Sequence, residues 1–238
     1  MMNFLVSTTN WNWDKAWEVF TQEFPLAIWE TLYSTFLSTF LAILIGLPLG
    51  VLLVVGEKDN ILPLPKWLMI TLNWIVNIFR SIPFLILMIM VLPLSMIIFG
   101  TQVGTIATII PLVVATFPFI ARLIENSIRE VNPNIIEASL SLGASPFQII
   151  THVLIPEAMP SIVSNITITL TTVLGYTAMS GTIGGGGLGR IAISYGYNRY
   201  QTAILFLAVV VIVILVIMIQ TCGTFIANKM DHRLKKKK

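Results

Sequence analysis

The amino-acid sequence predicts an all-α integral membrane protein, a single transmembrane domain over residues 1–238 that crosses the bilayer five times. Three observations predict it. Only 11% of the residues are charged and 56% are hydrophobic, whereas a water-soluble domain carries about 25% charged residues. The few charges delimit uncharged runs long enough to cross a hydrocarbon core. The cations are also distributed very unevenly between the two sides that such a topology creates.

The elements follow in order. Residues Trp11 to Glu23 mix charges with aromatics and lack the apolar stretch of a cleaved signal. Trp13, Trp17 and Phe20 are spaced to share one face of an interfacial helix. Between Glu30 and Glu57 lie 26 uncharged residues, about 39 Å as helix, which gives a first span at 30–55. It carries Gly46-Leu47-Pro48-Leu49-Gly50, where the glycines allow another helix to approach and Pro48 removes one backbone bond. Only 13 uncharged residues separate Lys66 from Arg80, about 20 Å and too short to cross. That run is expected to form an inner interfacial helix leading across Ser81-Ile82-Pro83 into a second span at 82–99. The 41 residues between Arg80 and Arg122 hold two crossings, 82–99 and 105–121, with a turn at Gly100 to Gly104. The last spans are expected at 159–180 and 201–227, joined through the Gly184–Gly189 run. Placing 61–79 as the second span instead would leave the parity unchanged.

An odd count puts the termini on opposite sides. With the C-terminus inside, eleven lysines and arginines lie inside and three (Lys15, Arg190 and Arg199) outside. The excess of cations belongs on the cytoplasmic side, so the orientation is N-out, C-in. The terminal Lys235 to Lys238 run is read as an inner-surface anchor and not a nucleic-acid site, since no basic folded domain accompanies it.

The segment from Arg122 to Pro160 then faces the cytoplasm. Arg122, Glu125 and Arg129 suit a helix emerging from the third span with exposed ion pairs. Asn132-Pro133 is a cap followed by proline at the first helical position. Gly143 is a natural helix stop. Ser145 and Gln148 are spaced as a capping box, and Pro156 and Pro160 punctuate the approach to the fourth span. The product is helix, glycine elbow, helix, over about 132–156. Its small-residue surface at Ala138, Ser139 and Gly143, beside Glu137, could sit in a partner's groove or rest on the membrane.

Glu137-Ala138-Ser139, Gly143 and Val153-Leu154-Ile155-Pro156 together resemble the EAA loop of binding-protein-dependent ABC importer permeases. Here serine stands at the third position and Val-Leu-Ile-Pro replaces the terminal Ile-x-Leu-Pro, both mild departures. From about Trp29 to Phe225 the chain is similar to the methionine-uptake permeases of that family, through Val76–Phe84, Pro118–Arg122, Gly175–Gly181 and Gly184–Gly189. The resemblance implies a type I importer permease fold in a bacterial cytoplasmic membrane. It implies a homodimer carrying two ATPase subunits on its cytoplasmic side and served by an extracytoplasmic binding lipoprotein. Methionine (D- and/or L-) is the implied substrate, with another small amino acid or an osmoprotectant as runner-up. Glu137, Ala138, Ser139, Gly143, Ala144, Ser145 and Pro156 would then form the coupling segment that docks on the ATPase.

The remaining residues favour transport without chemistry. The Gly184–Gly189 run lacks the Lys-Ser/Thr of a phosphate-binding loop and is expected to be a flexible outer loop. Cys222 is read as a buried small hydrophobe. His152 and His232 belong to no ligand cluster, so neither a metal nor a cofactor is expected. With almost no titratable group inside a span, a stand-alone secondary transporter is disfavoured, and no nucleophile–base set suggests an enzyme. The hydroxyls of the fourth span are read mainly as satisfying backbone groups or bridging helices. Tyr176, Met179 and Ser180 are the candidates for a substrate path or gate.

Overall fold

The computed structural model describes residues 11–58 and 60–230, and the terminal lysine run and His232 lie outside them. The regular structure among the described residues is helical. Helix α1 spans Trp13–Gln22, α2 Phe24–Val55, α3 Lys66–Ser81, α4 Phe84–Phe99, α5 Thr105–Arg129, α6 Pro133–Ser141 and α7 Pro146–Ile149. A π-helical turn at Ile150–Leu154 leads into α8, Ile155–Ser180, and α9 is Gly187–Ile191. A second π-turn, Ala192–Tyr197, precedes α10, Thr202–Met230. Four stretches are long and apolar enough to cross a membrane, 24–55, 105–129, 146–183 and 202–230, and α3 with α4 make a fifth if they are one broken span.

The chain divides into two compact units. One takes in the described residues up to Thr39 with Pro83–Val114 and Leu170–Ile219; the other takes in those of Phe40–Ile82, Ala115–Thr169 and from Gln220 on.

In the first unit, α1 starts on Asn12, whose side chain accepts the Lys15 N–H at 3.0 Å, one of the donors a helix start leaves unpaired. Its Ala16 and Val19 are buried with Phe24, Ala27, Leu188, Ile191 and Ala203. Trp13 and Trp17 stay exposed on its other side, with Trp17 stacked on Phe20. Thr31, Ser34, Thr35, Ser38 and Thr39 are all buried on α2, a seam at helical spacing. Ser95 of α4 donates to the Ala107 carbonyl at 2.8 Å. Gly100 ends α4 in the left-handed region at φ 72°, so the expected turn at 100–104 is present and glycine is what its backbone requires.

The Gly-rich run departs from expectation. It is a packed corner rather than a flexible loop. The Gly187 N–H donates to Glu30 Oε2 at 2.6 Å and the Leu188 N–H to Thr31 Oγ1 at 2.9 Å. A Cβ on Gly189 would lie 2.2 Å from the Ala178 carbonyl oxygen, and one on Gly181 2.3 Å from the Gly189 backbone. These glycines are small so that backbone can touch backbone. Glu30 correspondingly lies inside α2 and not at its outer start, because α2 already begins at Phe24. Beyond the corner, the Tyr195 hydroxyl donates to the Glu23 carboxylate. That hydrogen bond, followed by burial, pushes the phenol pKa up.

In the second unit, α2 and α5 cross at glycine. A Cβ on Gly46 would meet Ile120 Cγ2 and the Phe117 carbonyl at 2.8 Å, and one on Gly50 would lie 2.5 Å from the Ala121 carbonyl oxygen. The helix continues through Pro48. Gly50→Leu is expected to overpack this crossing by roughly 3 kcal/mol. The check is a loss of monodisperse protein in detergent, while Gly175→Ala, whose added Cβ meets nothing within 4 Å, should leave the yield unchanged. Helix α3 ends at Ser81, and Ile82-Pro83 breaks the helix before α4. Ile82 is extended there, as the residue before proline favours.

The fourth span differs at its start. Its helix begins at Ile155 rather than at 159, and so runs through Pro156 as well as Pro160. The preceding π-turn widens the bonding, with the Ile155 N–H reaching the Ile150 carbonyl. A wider turn at this point accommodates the bond that Pro156 cannot make.

Candidate functional site

The segment between α5 and α8 is built from its own caps. Asn132 accepts the Asn134 N–H at 3.0 Å and Pro133 follows at the first helical position. Leu142 closes α6 by donating to the Ala138 carbonyl. Gly143 turns the chain at φ +80° and its N–H reaches the Leu140 carbonyl at 2.9 Å. Ser145 and Gln148 then exchange both bonds of a capping box, at 2.8 Å and 3.4 Å. Each cap satisfies a donor that a helix start would otherwise leave bare.

What this elbow presents is mainly apolar. Leu142 is 88% exposed and Phe147 74%. Ile135 and Leu140 are exposed as well, beside Glu137 and Ala138. Ser139 turns its hydroxyl inward to the Ile135 carbonyl at 2.8 Å. Ala144 is half-buried, while Ser145 and Pro156 are exposed. Around Gly143 a side chain would meet nothing within 4 Å. Buried Val131, Ile149 and Leu154 hold the base of the segment. Large exposed apolar side chains grouped around one carboxylate suit a partner groove that is apolar with a hydrogen-bond donor at its edge.

Behind the segment the charges are not the exposed pairs that the sequence suggested. Glu125 is only 7% exposed. It receives Arg122 at 2.5 Å and Arg129 at 3.0 Å. Arg122 also donates to the side-chain oxygens of Asn73 at 2.8 Å and Asn77 at 2.9 Å on α3. Arg129 reaches Glu57, just beyond α2, at 2.6 Å. Asn73 and Asn77, missed in the sequence, are four residues apart on a helix that is otherwise largely apolar. That spacing puts them on one face and was the available signal.

The path candidates separate. Tyr176 stacks on Phe84 with ring centroids 4.0 Å apart and an interplanar angle of 6°. Met179 is 40% exposed. Ser180 is 1% exposed and its hydroxyl donates to the Thr177 carbonyl at 2.7 Å, so the structure places it in packing. Elsewhere on α8, Thr167 and Thr169 return their hydroxyls to carbonyls one turn back. Asn165 bridges to Ser127 at 2.8 Å.

Membrane-length apolar helices interrupted by a capped elbow with exposed apolar side chains are the features of a membrane-embedded transport subunit. The chain belongs to the family of binding-protein-dependent transport system inner membrane components, which it matches over residues 46–236.

Within that family it is 46% identical over 210 residues to the probable D-methionine transport system permease protein MetI of Vibrio cholerae, covering 87% of this chain and 92% of the relative. It is 45% identical over 159 residues to the methionine import system permease protein MetP of Bacillus subtilis, covering 67% and 72%. A chain of the MetNI methionine ABC transporter, solved in inward-facing conformations, superposes with a TM-score of 0.83 at 46% identity, covering 86% of this chain and 94% of that one. The fold extends to an amino acid ABC transporter at 20% identity and a TM-score of 0.68.

Proposed function

We propose that this chain is the permease subunit of an ATP-driven importer that carries methionine across a bacterial cytoplasmic membrane. The observation that carries the substrate is the 46% identity, over 92% of its length, to a relative named for D-methionine transport. In this reading two copies enclose the path, with N-termini outside and C-termini inside. Two ATPase subunits seat the elbows through Glu137, Ala138, Ser139, Gly143, Ala144, Ser145 and Pro156. A binding lipoprotein delivers substrate to the outer face. ATP binding draws the elbows together and favours the outward-open state, and hydrolysis restores the inward-open one. The motor can shift that equilibrium only through its different affinity for ATP in the two states. Tyr176 and Met179 serve as gate groups, where an aromatic face and a polarizable side chain suit a thioether.

The test is uptake by the chain reconstituted with its ATPase and binding protein. Labelled methionine should accumulate against a gradient only with ATP and all components present. Accumulation driven equally by the permease alone, or of another amino acid in preference to methionine, would reject the assignment.

A further inference from the structure

A cavity of about 740 Å³ lies against α3 in the second unit. Its walls combine two exposed cations with apolar and aromatic surface: Lys58, Lys66, Leu64, Met69, Ile70 and Trp74. We propose that this cavity is a specific site for an anionic phospholipid, with the headgroup phosphate held by Lys58 and Lys66 and the first part of an acyl chain laid along α3. The proposal rests on the topology given above, which places the Lys58–Lys66 connection at the inner membrane surface.

Charge favours that occupant. Lys58 and Lys66 are the cations of the lining. The carboxylate that shares it, Glu57, is held by Arg129 at 2.6 Å, so its charge is largely cancelled within the protein. Lysines beside the inner leaflet attract anionic headgroups, each contributing to retention near the surface. The apolar part fits as well. Trp67, Ile70, Trp74 and Ile78 lie three or four residues apart on α3 and all are exposed, Trp74 by 65%. That spacing makes one continuous stripe, and tryptophan favours the headgroup level of a bilayer. A soluble phosphate would use the lysines but leave the stripe bare.

The cavity also has a mechanical neighbour. Asn73 and Asn77 contribute to its wall, and their side-chain oxygens accept from Arg122. A lipid seated there bears on the helix that this arginine fastens to α5, ten residues ahead of the Asn132 cap that opens the elbow. Lipid occupancy therefore stabilises the α3 attachment.

The test uses the full transporter with its ATPase, purified in mild detergent and supplied with phosphatidylglycerol or phosphatidylcholine. Native mass spectrometry reads what each chain retains. The wild type should keep phosphatidylglycerol selectively. Lys58→Gln with Lys66→Gln should weaken retention about twenty-five-fold, at roughly fivefold for each lysine. Lys229→Gln should not change it. Trp74→Ser, which keeps both lysines, should also weaken retention, whereas millimolar glycerol phosphate should not displace the lipid. Undiminished retention in the double-lysine variant, equal retention of both lipids, or full displacement by glycerol phosphate would overturn the proposal. The readout needs no substrate, so it stands or falls separately from the methionine assignment.

Discussion

Gly143→Val is expected to abolish ATP-driven uptake while the chain still inserts in the membrane. The reason lies in the backbone. Gly143 sits at φ +80°, where a residue with a Cβ loses roughly 1–2 kcal/mol and a β-branched one more. The space around it is open within the chain, so valine does not collide with its own protein. The elbow would relieve the strain by changing its turn, which moves Leu142 and Phe147 from their present positions. Gly143→Asn separates two causes, because asparagine tolerates the left-handed region. If only the turn matters, Asn retains most uptake. If the open space is clearance for the ATPase, Asn fails with Val. The measurements are ATP-dependent uptake and co-purification of the ATPase subunit, with membrane content as control. Normal uptake by a well-expressed Gly143→Val chain would remove the docking role from the elbow.

The second large effect belongs to Arg122. Arg122→Met removes three of its bonds at once, to Glu125, Asn73 and Asn77. It leaves the largely buried Glu125 with Arg129 as its remaining ion-pair partner. Breaking a buried pair on one side costs about 3 kcal/mol or more, because a charge is left with too few partners out of water. For a chain of this size that corresponds to a fall of roughly 6–12 °C in Tm. Arg122→Lys should recover only part of the loss, since an ammonium keeps the charge but lacks the planar fork that spans a carboxylate and two amides. Thermal unfolding of the purified complex checks this. An unchanged midpoint in Arg122→Met would mean that the network is held by its other members.

The membrane-crossing elements were legible because they depend on charge spacing, a local property of the sequence. Uncharged gaps anticipated the helices at 84–99 and 202–230 to within a few residues. The elbow was legible for the same reason: Asn132-Pro133, Gly143 and the Ser145–Gln148 box act over four residues or fewer. What was not legible depends on partners distant in sequence. Four consecutive glycines show no side chain to read, and their packed state rests on Ser180, against Gly185, and on Glu30, 157 residues before the Gly187 amide from which it accepts. The Arg122 cluster was misread as surface pairing because two of its acceptors lie 45 and 49 residues away. Ser180 shows the same limit, since periodicity cannot say whether a serine on a polar stripe faces a path or a neighbouring turn.

The elbow between α5 and α8 takes its shape from bonds inside itself. Each of its two short helices begins on a side chain of its own, and its bend is a single glycine. A part formed in this way would give up little conformational freedom on docking, so more of the contact energy would remain for holding a partner.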